Sequence, residues 1–171
     1  MRWFERKFSF DLAVEAFPEV IERLRGAPAR LEDKLRGLAP EVLTRRDGES
    51  WSIQEHAGHL LDLEDVHLCR LDDYLAGKQV LTPADPRNQK TWDAGYNQRS
   101  IQDILRDFRR ERGRFVERLD AWDPALIARS AFHPRLYQGM RVIDLAEFVC
   151  DHDDHHLAIM TALARKFRAA A

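Results

Sequence analysis

The sequence predicts an all-α protein built as a four-helix bundle. Four long segments repeat apolar residues with the helical period, and no segment alternates apolar and polar residues as a strand would. A length of 171 residues with 44% hydrophobic residues is typical of one core, so we expect residues 1–171 to form a single domain. Long connections, predicted over residues 77–96 and 123–140, separate the second helix from the third and the third from the fourth.

The first and third helices are predicted from periodicity. The first covers residues 11–38, where Pro18 and Pro28 predict either two pieces or a kink, because a proline removes one helical hydrogen bond. The third begins near residue 97 or 100 and ends near residue 122. Its arginines alternate with aspartates and glutamates, and the net charge of the chain is −2. This pattern is typical of a solvated face with ion pairs, so we expect no contact with nucleic acid.

The second helix is predicted over residues 52–76, with signals at both ends. Ser52 and Glu55 have the spacing of a capping box, and Gly77 is a residue type that commonly ends helices. Glu64 lies in the middle of the apolar stripe, where a carboxylate needs a partner. Three interpretations stay open for Glu64: an acceptor for a metal-ligating histidine, a general base, or half of a buried ion pair with an arginine.

The fourth helix, predicted over residues 141–167, carries histidines on its core-facing side. Its seam alternates spacings of four and three residues, and two of its six positions are histidine: Leu145, Val149, His152, His156, Ile159 and Leu163. Two buried imidazoles one turn apart are costly as cations, but as neutral rings they can share one divalent cation. The pair predicts a metal site, and histidines that simply pack and form hydrogen bonds are the alternative.

A third ligand is expected from the second helix. The apolar stripe of this helix is centred on Ile53, Ala57, Leu60, Leu71 and Leu75. His56 and His67 lie at the edge of the stripe, and His59 lies further round. Periodicity alone therefore favours His56 or His67 as the third ligand.

Several segments resemble those of a known family. Residues 51–64, WSIQEHAGHLLDLE, resemble the second-helix motif of the DinB superfamily of metal-dependent enzymes. Residues 152–159, HDDHHLAI, resemble its last-helix motif. Residues 17–31, and HPRL at 133–136 with MRVIDL at 140–145, resemble one DinB-like subgroup. The resemblance covers nearly the whole chain.

The resemblance implies an up-down-down-up bundle, often a homodimer, in which three histidines bind one metal ion. By position, the ligands are His59, His152 and His156, which overrules the helical wheel on the second helix. His56 then becomes a surface or rim residue, and His155 lies outside the ligand set. Nitrogen ligands suit zinc, nickel, iron or copper, and we expect zinc or nickel.

The resemblance also implies a metal-dependent enzyme that acts on a small molecule. Characterised members of the superfamily include transferases and isomerases that use low-molecular-weight thiols such as mycothiol or bacillithiol. Our leading hypothesis is that the metal activates such a thiol, which attacks an electrophilic small molecule. One alternative is a metal-dependent hydrolase that activates water, with Glu64 or Asp153 as the base. Another is a non-catalytic, dimeric metal-binding bundle with a structural or stress-response role.

The N-terminal residues and the hydropathy of the chain bear on its location. The first residues are charged and amphipathic rather than typical of a signal peptide. No apolar run approaches the length of about 18 residues that a transmembrane helix needs. We therefore expect a cytoplasmic protein that does not contact membranes.

Overall fold

Four long α-helices make up most of the protein in a computed structural model, which describes residues 3–168. In chain order the α-helices are α1 (Phe17–Leu35), α2 (Pro40–Thr44), α3 (Ile53–Leu75), α4 (Gln89–Asp93), α5 (Ile101–Asp120), α6 (Pro124–Ile127) and α7 (Val142–Arg168). The two strands are β1 (Ser130–His133) and β2 (Gln138–Arg141). Single turns of 3-10 helix cover Trp3–Glu5, Val14–Ala16 and Tyr96–Gln98. The prediction of a mainly helical protein with four long helices is confirmed.

Helix α3 begins and ends where the sequence predicts. The Ser52 hydroxyl accepts a hydrogen bond from the Glu55 backbone N–H at 3.1 Å, and the Glu55 carboxylate accepts one from the Ser52 backbone N–H at 2.8 Å. At the other end, Gly77 has a φ of +67°, a left-handed conformation that suits glycine. The capping box therefore sets the start of the helix that carries His59.

Helix α1 is one continuous helix and is shorter than predicted. It begins at Phe17, with Pro18 in its first turn, where a backbone N–H would have no intrahelical partner. Pro28 lies inside the helix, which continues to Leu35. Of the two predicted alternatives, the division into two pieces is wrong, because Pro18 starts the helix and the helix continues through Pro28.

The expectation that the chain lacks strands is also wrong. Strands β1 and β2 pair antiparallel in the connection before α7, with His133 opposite Gln138. Ala131 and His133 are buried while Phe132 is 38% exposed. Each strand has four residues, and so short an alternation is not visible in the sequence. The hairpin matters here because it carries His133 and Arg135 towards the bundle.

The core consists of two hydrophobic clusters. The first contains residues from the N-terminal halves of α1 and α7 and the C-terminal halves of α3 and α5: Ile21, Leu24, Leu71, Tyr74, Phe115, Leu119, Leu145 and Val149. The second contains residues from the opposite halves: Leu31, Leu35, Ile53, Leu60, Ile104, Phe108, Met160 and Leu163. Leu75, which the helical wheel placed in the stripe of α3, is 51% exposed.

A layer of buried polar side chains lies between these clusters along α3, α5 and α7. This polar layer contains His59, Glu64, Arg112, His152, Asp153 and His156. Helix α3 packs against α5 and α7, and α1 packs against the same two helices. The histidines of α3 and α7 therefore face each other across a direct helix contact. Within residues 3–168, no helix is long and apolar enough to cross a membrane.

Candidate metal centre

Three histidines from α3 and α7 meet in the polar layer. His59, His152 and His156 each offer one ring nitrogen, and these nitrogens all lie within 4.8 Å of one another. The Nε2 atoms of His152 and His156 are 3.1 Å apart. All three residues are buried. The structure thus brings together the three histidines that the family resemblance names.

The environment of these histidines keeps their rings neutral. Burial, reinforced by His56, lowers the pKa of His59 to about 3. Burial and the neighbouring imidazoles hold the pKa values of His152 and His156 well below the usual range. A neutral imidazole has a nitrogen lone pair, which is the form that binds metal. Three such nitrogens fit a divalent transition metal such as zinc or nickel.

Thr91 and Asp62 orient the His59 ring. The Thr91 hydroxyl donates to Asp62 Oδ2 at 2.8 Å, and its oxygen lies 3.2 Å from His59 Nδ1. Because the hydroxyl proton is already used, this oxygen accepts the Nδ1–H of His59 and leaves the lone pair on Nε2. Tyr96 donates to the other oxygen of Asp62 at 2.7 Å. A Cβ on Gly58 would lie 2.3 Å from the Tyr96 ring, so glycine is required for this contact.

The resemblance is wrong about the position of His56. It made His56 a surface or rim residue, but His56 is 6% exposed and its Nδ1 lies 2.8 Å from Nδ1 of His156. One of these nitrogens donates to the other. When His156 donates, its Nε2 keeps the lone pair and faces His152. His56 then orients His156 as Thr91 orients His59, a kind of support common around metal ligands.

The two candidate general bases belong to an ion-pair cluster. Arg112 on α5 is buried and donates to Glu64 Oε1 at 2.7 and 3.0 Å. It also donates to both carboxylate oxygens of Asp153, with the longer bond at 3.1 Å. Of the three interpretations open for Glu64, the structure has the ion pair with an arginine. Glu64 and Asp153 do not line the cavity beside the histidines.

A cavity of about 550 Å³ opens beside the three histidines, and its walls are mostly apolar. The apolar lining includes Trp3, Trp51, Leu63, Val66, Phe148 and Ile159. Its volume and its mostly apolar surface are typical of a small-molecule site. His155 lies on the rim and His67 lines the cavity, away from the cluster of three.

Both long connections contribute to the cavity wall. His133 and Arg135 come from the hairpin, and Asp85 and Asn88 come from the connection between α3 and α5. Tyr137, in the turn of the same hairpin, is 84% exposed and lies outside the wall.

Sequence reasoning does not identify Asp62, Thr91 or Arg70 as parts of the site. Arg70 follows His59 by 11 residues, about three helical turns, so its position on the same face of α3 was detectable. Thr91 lies in a short helix within a connection, and no spacing relates it to His59.

Comparison with known proteins assigns the chain to a family. The sequence model of the DinB superfamily matches residues 23–160. The chain belongs to the DinB superfamily. Among solved structures, this DinB-superfamily chain is similar to YfiT from Bacillus subtilis, described as a probable metal-dependent hydrolase with an unusual four-helix bundle topology. The TM-score is 0.79 at 22% identity, over 95% of this chain and 93% of YfiT.

Two further structures share the fold with this DinB-superfamily chain. The mycothiol-dependent maleylpyruvate isomerase has a TM-score of 0.67 at 10% identity, over 92% of this chain and 62% of the isomerase. A protein from Streptococcus pneumoniae has a TM-score of 0.65 at 12% identity, over 96% of this chain and 93% of that protein. Likeness at these identities shows the fold alone. The comparison with curated protein sequences gave no significant match.

Proposed function

We propose that this protein is a metal-dependent enzyme that binds one divalent transition metal through His59, His152 and His156 and uses it to activate a low-molecular-weight thiol. The supporting observation is that three buried, neutral nitrogens meet at the wall of a cavity of about 550 Å³. When bound, a metal ion with three nitrogen ligands supplies an open position that favours the thiolate form of a thiol. The second substrate is a small electrophilic molecule.

The surrounding residues of the chain prepare this site. Thr91 holds the His59 imidazole in a single tautomer, and His56 supports the His156 ring through the contact between their Nδ1 atoms, which reduces the reorganisation needed on binding. Trp51 lies 4.7 Å from His59 between ring centroids, and Trp3 lies 4.9 Å from His152. These indole rings exclude water from one side of the cluster, and electrostatic interactions with a bound thiolate are stronger in such surroundings.

The carboxylates near the site favour a thiol over water as the nucleophile. Hydrolysis by metal-bound water is assisted by a general base, and both candidates, Glu64 and Asp153, are held by Arg112. Asp85 lines the cavity, but its oxygens accept backbone N–H groups of the following turn at 2.9 Å. Metal coordination lowers the pKa of both nucleophiles, but a thiol is already the stronger acid and is fully deprotonated when coordinated, so it depends less on a base. The thiol dependence of the maleylpyruvate isomerase of similar fold supports the same choice.

The first test is elemental analysis of the purified protein, followed by calorimetric titration with cysteine, bacillithiol and mycothiol. We expect near-stoichiometric metal and metal-dependent binding of at least one thiol. A protein that takes up neither zinc nor nickel would contradict the metal site. Turnover of small electrophiles or esters without any thiol would instead support hydrolysis, the activity for which YfiT is described as a probable enzyme.

The variant His59→Ala distinguishes a catalytic metal from a non-catalytic, structural one. For a catalytic metal, we expect the variant to lose activity with only modest loss of melting temperature. A large loss of melting temperature, with no thiol binding in the parent, would support a structural metal instead.

We also infer that the long helices run up-down-down-up. The supporting observation is that the first hydrophobic cluster joins the beginnings of α1 and α7 to the ends of α3 and α5. A homodimer, which the resemblance implies, is tested by sedimentation equilibrium of the metal-loaded protein.

A further inference from the structure

Two arginines line the cavity without a carboxylate partner. Arg70 on α3 is 2% exposed, and its Nε donates to the Thr82 carbonyl at 3.0 Å. Arg135 in the hairpin is half-buried and lies over the rings of Phe148 and Phe4, at 5.6 and 5.2 Å from their centroids. Among residues 3–168, no carboxylate forms an ion pair with either guanidinium.

The nearby acidic groups already have other partners. Asp73, three residues after Arg70, pairs with Lys78 at 2.6 Å and accepts the Thr82 backbone N–H at 2.6 Å. Burial lowers the pKa of Arg70 to about 10, and the charge of Arg135 acts in the same direction. Asp85 also lines the cavity, but its oxygens accept backbone N–H groups, so neither guanidinium is paired with a carboxylate. Two unpaired cations that face one cavity are unfavourable, and a bound oxyanion relieves this cost.

Two histidines at the same cavity add unpaired polar atoms. His133 is 2% exposed, and its Nδ1 accepts the Leu136 backbone N–H at 3.2 Å. Its Nε2 therefore carries the proton, and this buried donor has no partner among the described residues. Nδ1 of His67 is also buried and has no partner there. Buried polar groups rarely remain unpaired, so their position on the cavity wall indicates a ligand.

We propose that this part of the cavity is an oxyanion subsite, in which Arg70, Arg135 and His133 bind the carboxylate or phosphate group of the reacting small molecule. The assignment rests on the proposed function, because it treats the three metal-site histidines as the place of reaction. Guanidinium groups suit this role because their planar donors match the oxygens of carboxylate and phosphate.

The subsite also defines the shape of the ligand. The Cα atoms of His59 and Arg70 lie on one helix, 11 residues apart, which corresponds to roughly 16 Å along its axis. Side chains on a helix generally lean towards its start, which shortens this gap for a residue at the position of Arg70. Leu63 and Val66 line the cavity between the two positions. The expected ligand is therefore elongated, with an apolar body and an anionic end.

The test is calorimetric titration with 4-phenylbutyrate, phenyl phosphate and the uncharged 4-phenylbutan-1-ol, on both zinc-loaded and zinc-free protein. In the parent, at least one anion should bind about tenfold or more tightly than the alcohol, with and without zinc. Arg135→Gln and Arg70→Gln should each remove about tenfold of that affinity while leaving zinc affinity unchanged. The control is Arg87→Gln, since Arg87 is exposed and lies outside the cavity wall; this change should alter the anion affinity by less than about twofold.

Equal affinity for the anions and the alcohol would overturn the proposal. Full anion affinity in a folded Arg135→Gln protein would overturn it as well, even if Arg70→Gln failed to fold. The result is separable from the metal proposal. If the parent binds no zinc but shows arginine-dependent anion binding, the subsite is supported and the metal site is contradicted. If it binds zinc but shows no such anion binding, the metal site is supported and the subsite is contradicted.

Discussion

The polar layer contains two buried clusters, and the free-energy cost of removing their polar groups from water is offset in a different way in each. In the arginine cluster, Arg112 donates to Glu64 and Asp153, so charges of opposite sign satisfy one another. In the histidine cluster, three bases face one another, and burial keeps all of them neutral. The clusters are neighbours, because Asp153 directly follows His152 on α7.

The difference between the clusters lies in what completes them. The arginine cluster lies inside the bundle and does not line the cavity, and of its carboxylate oxygens only Glu64 Oε2 has no hydrogen-bond partner among the described residues. The histidine cluster lines the cavity. Each neutral ring has one nitrogen lone pair, and the cluster has too few N–H groups to donate a hydrogen bond to each of them. The first cluster therefore has the composition of a structural ion pair, whereas the second offers three nitrogen ligands to a metal ion.

The largest effect is expected from Arg112→Met. The change leaves two buried carboxylates without their cation, and such a loss costs about 3–5 kcal/mol of the free energy of unfolding. Urea denaturation at neutral pH measures it. The control is Arg114→Met, an exposed site two residues away, where the change should stay within about 0.5 kcal/mol. A loss below about 1 kcal/mol in Arg112→Met would show that the arginine cluster is not the stabilising one.

The next effect is expected from His152→Ala, measured as zinc affinity by competition with a chelator. Removal of a direct ligand should weaken binding by more than about 100-fold, the upper range for residues that only support a ligand. The control is His155→Ala, which removes a half-buried imidazole outside the cluster and should leave affinity within about twofold. Equal losses of zinc affinity in the two variants would show that His152 is no more a zinc ligand than His155.

The variant Glu64→Gln tests the arginine cluster through the pH dependence of the free energy of unfolding. Burial raises the pKa of Glu64 to about 7; the charge and hydrogen bonds of Arg112 oppose this rise, and the negative charge of Asp153 adds to it. The folded protein then holds a proton that the unfolded chain releases, so stability falls as pH rises from about 4.5 to about 7. The variant cannot titrate at this position and should lack about 1–3 kcal/mol of that decline. Parallel stability profiles for parent and variant, measured by urea denaturation between those pH values, would contradict the raised pKa.

The smallest effect is expected from Thr91→Val, which removes the acceptor for His59 Nδ1–H but keeps the side-chain volume. We expect zinc affinity to fall about tenfold, because the His59 tautomer is no longer held. Thr44→Val serves as the control, since its hydroxyl donates to the local Pro40 carbonyl and the residue does not line the cavity. Unchanged zinc affinity in Thr91→Val would show that His59 needs no such support.

The outcome on α3 shows how far periodicity can predict a site. The wheel favours His56 or His67, and both are buried as it suggests, but His59 is buried as well. A wheel assumes one apolar face, whereas α3 packs against α5, α7, α2 and α4 and is covered on several sides. The family motif selects His59, and the geometry of the cluster agrees with that choice.

The sequence by itself determined the features that depend on a few neighbouring residues. The capping box at Ser52, the long helices, and the shared face of His152 and His156 all follow from spacing within one helix, where hydrogen bonds and side-chain directions are local. Only the tertiary structure decided which side chains from different elements meet. Thr91 reaches His59, and Arg135 joins Arg70 at the cavity, because helix crossing and the β1–β2 hairpin place them there, and no local spacing encodes those contacts.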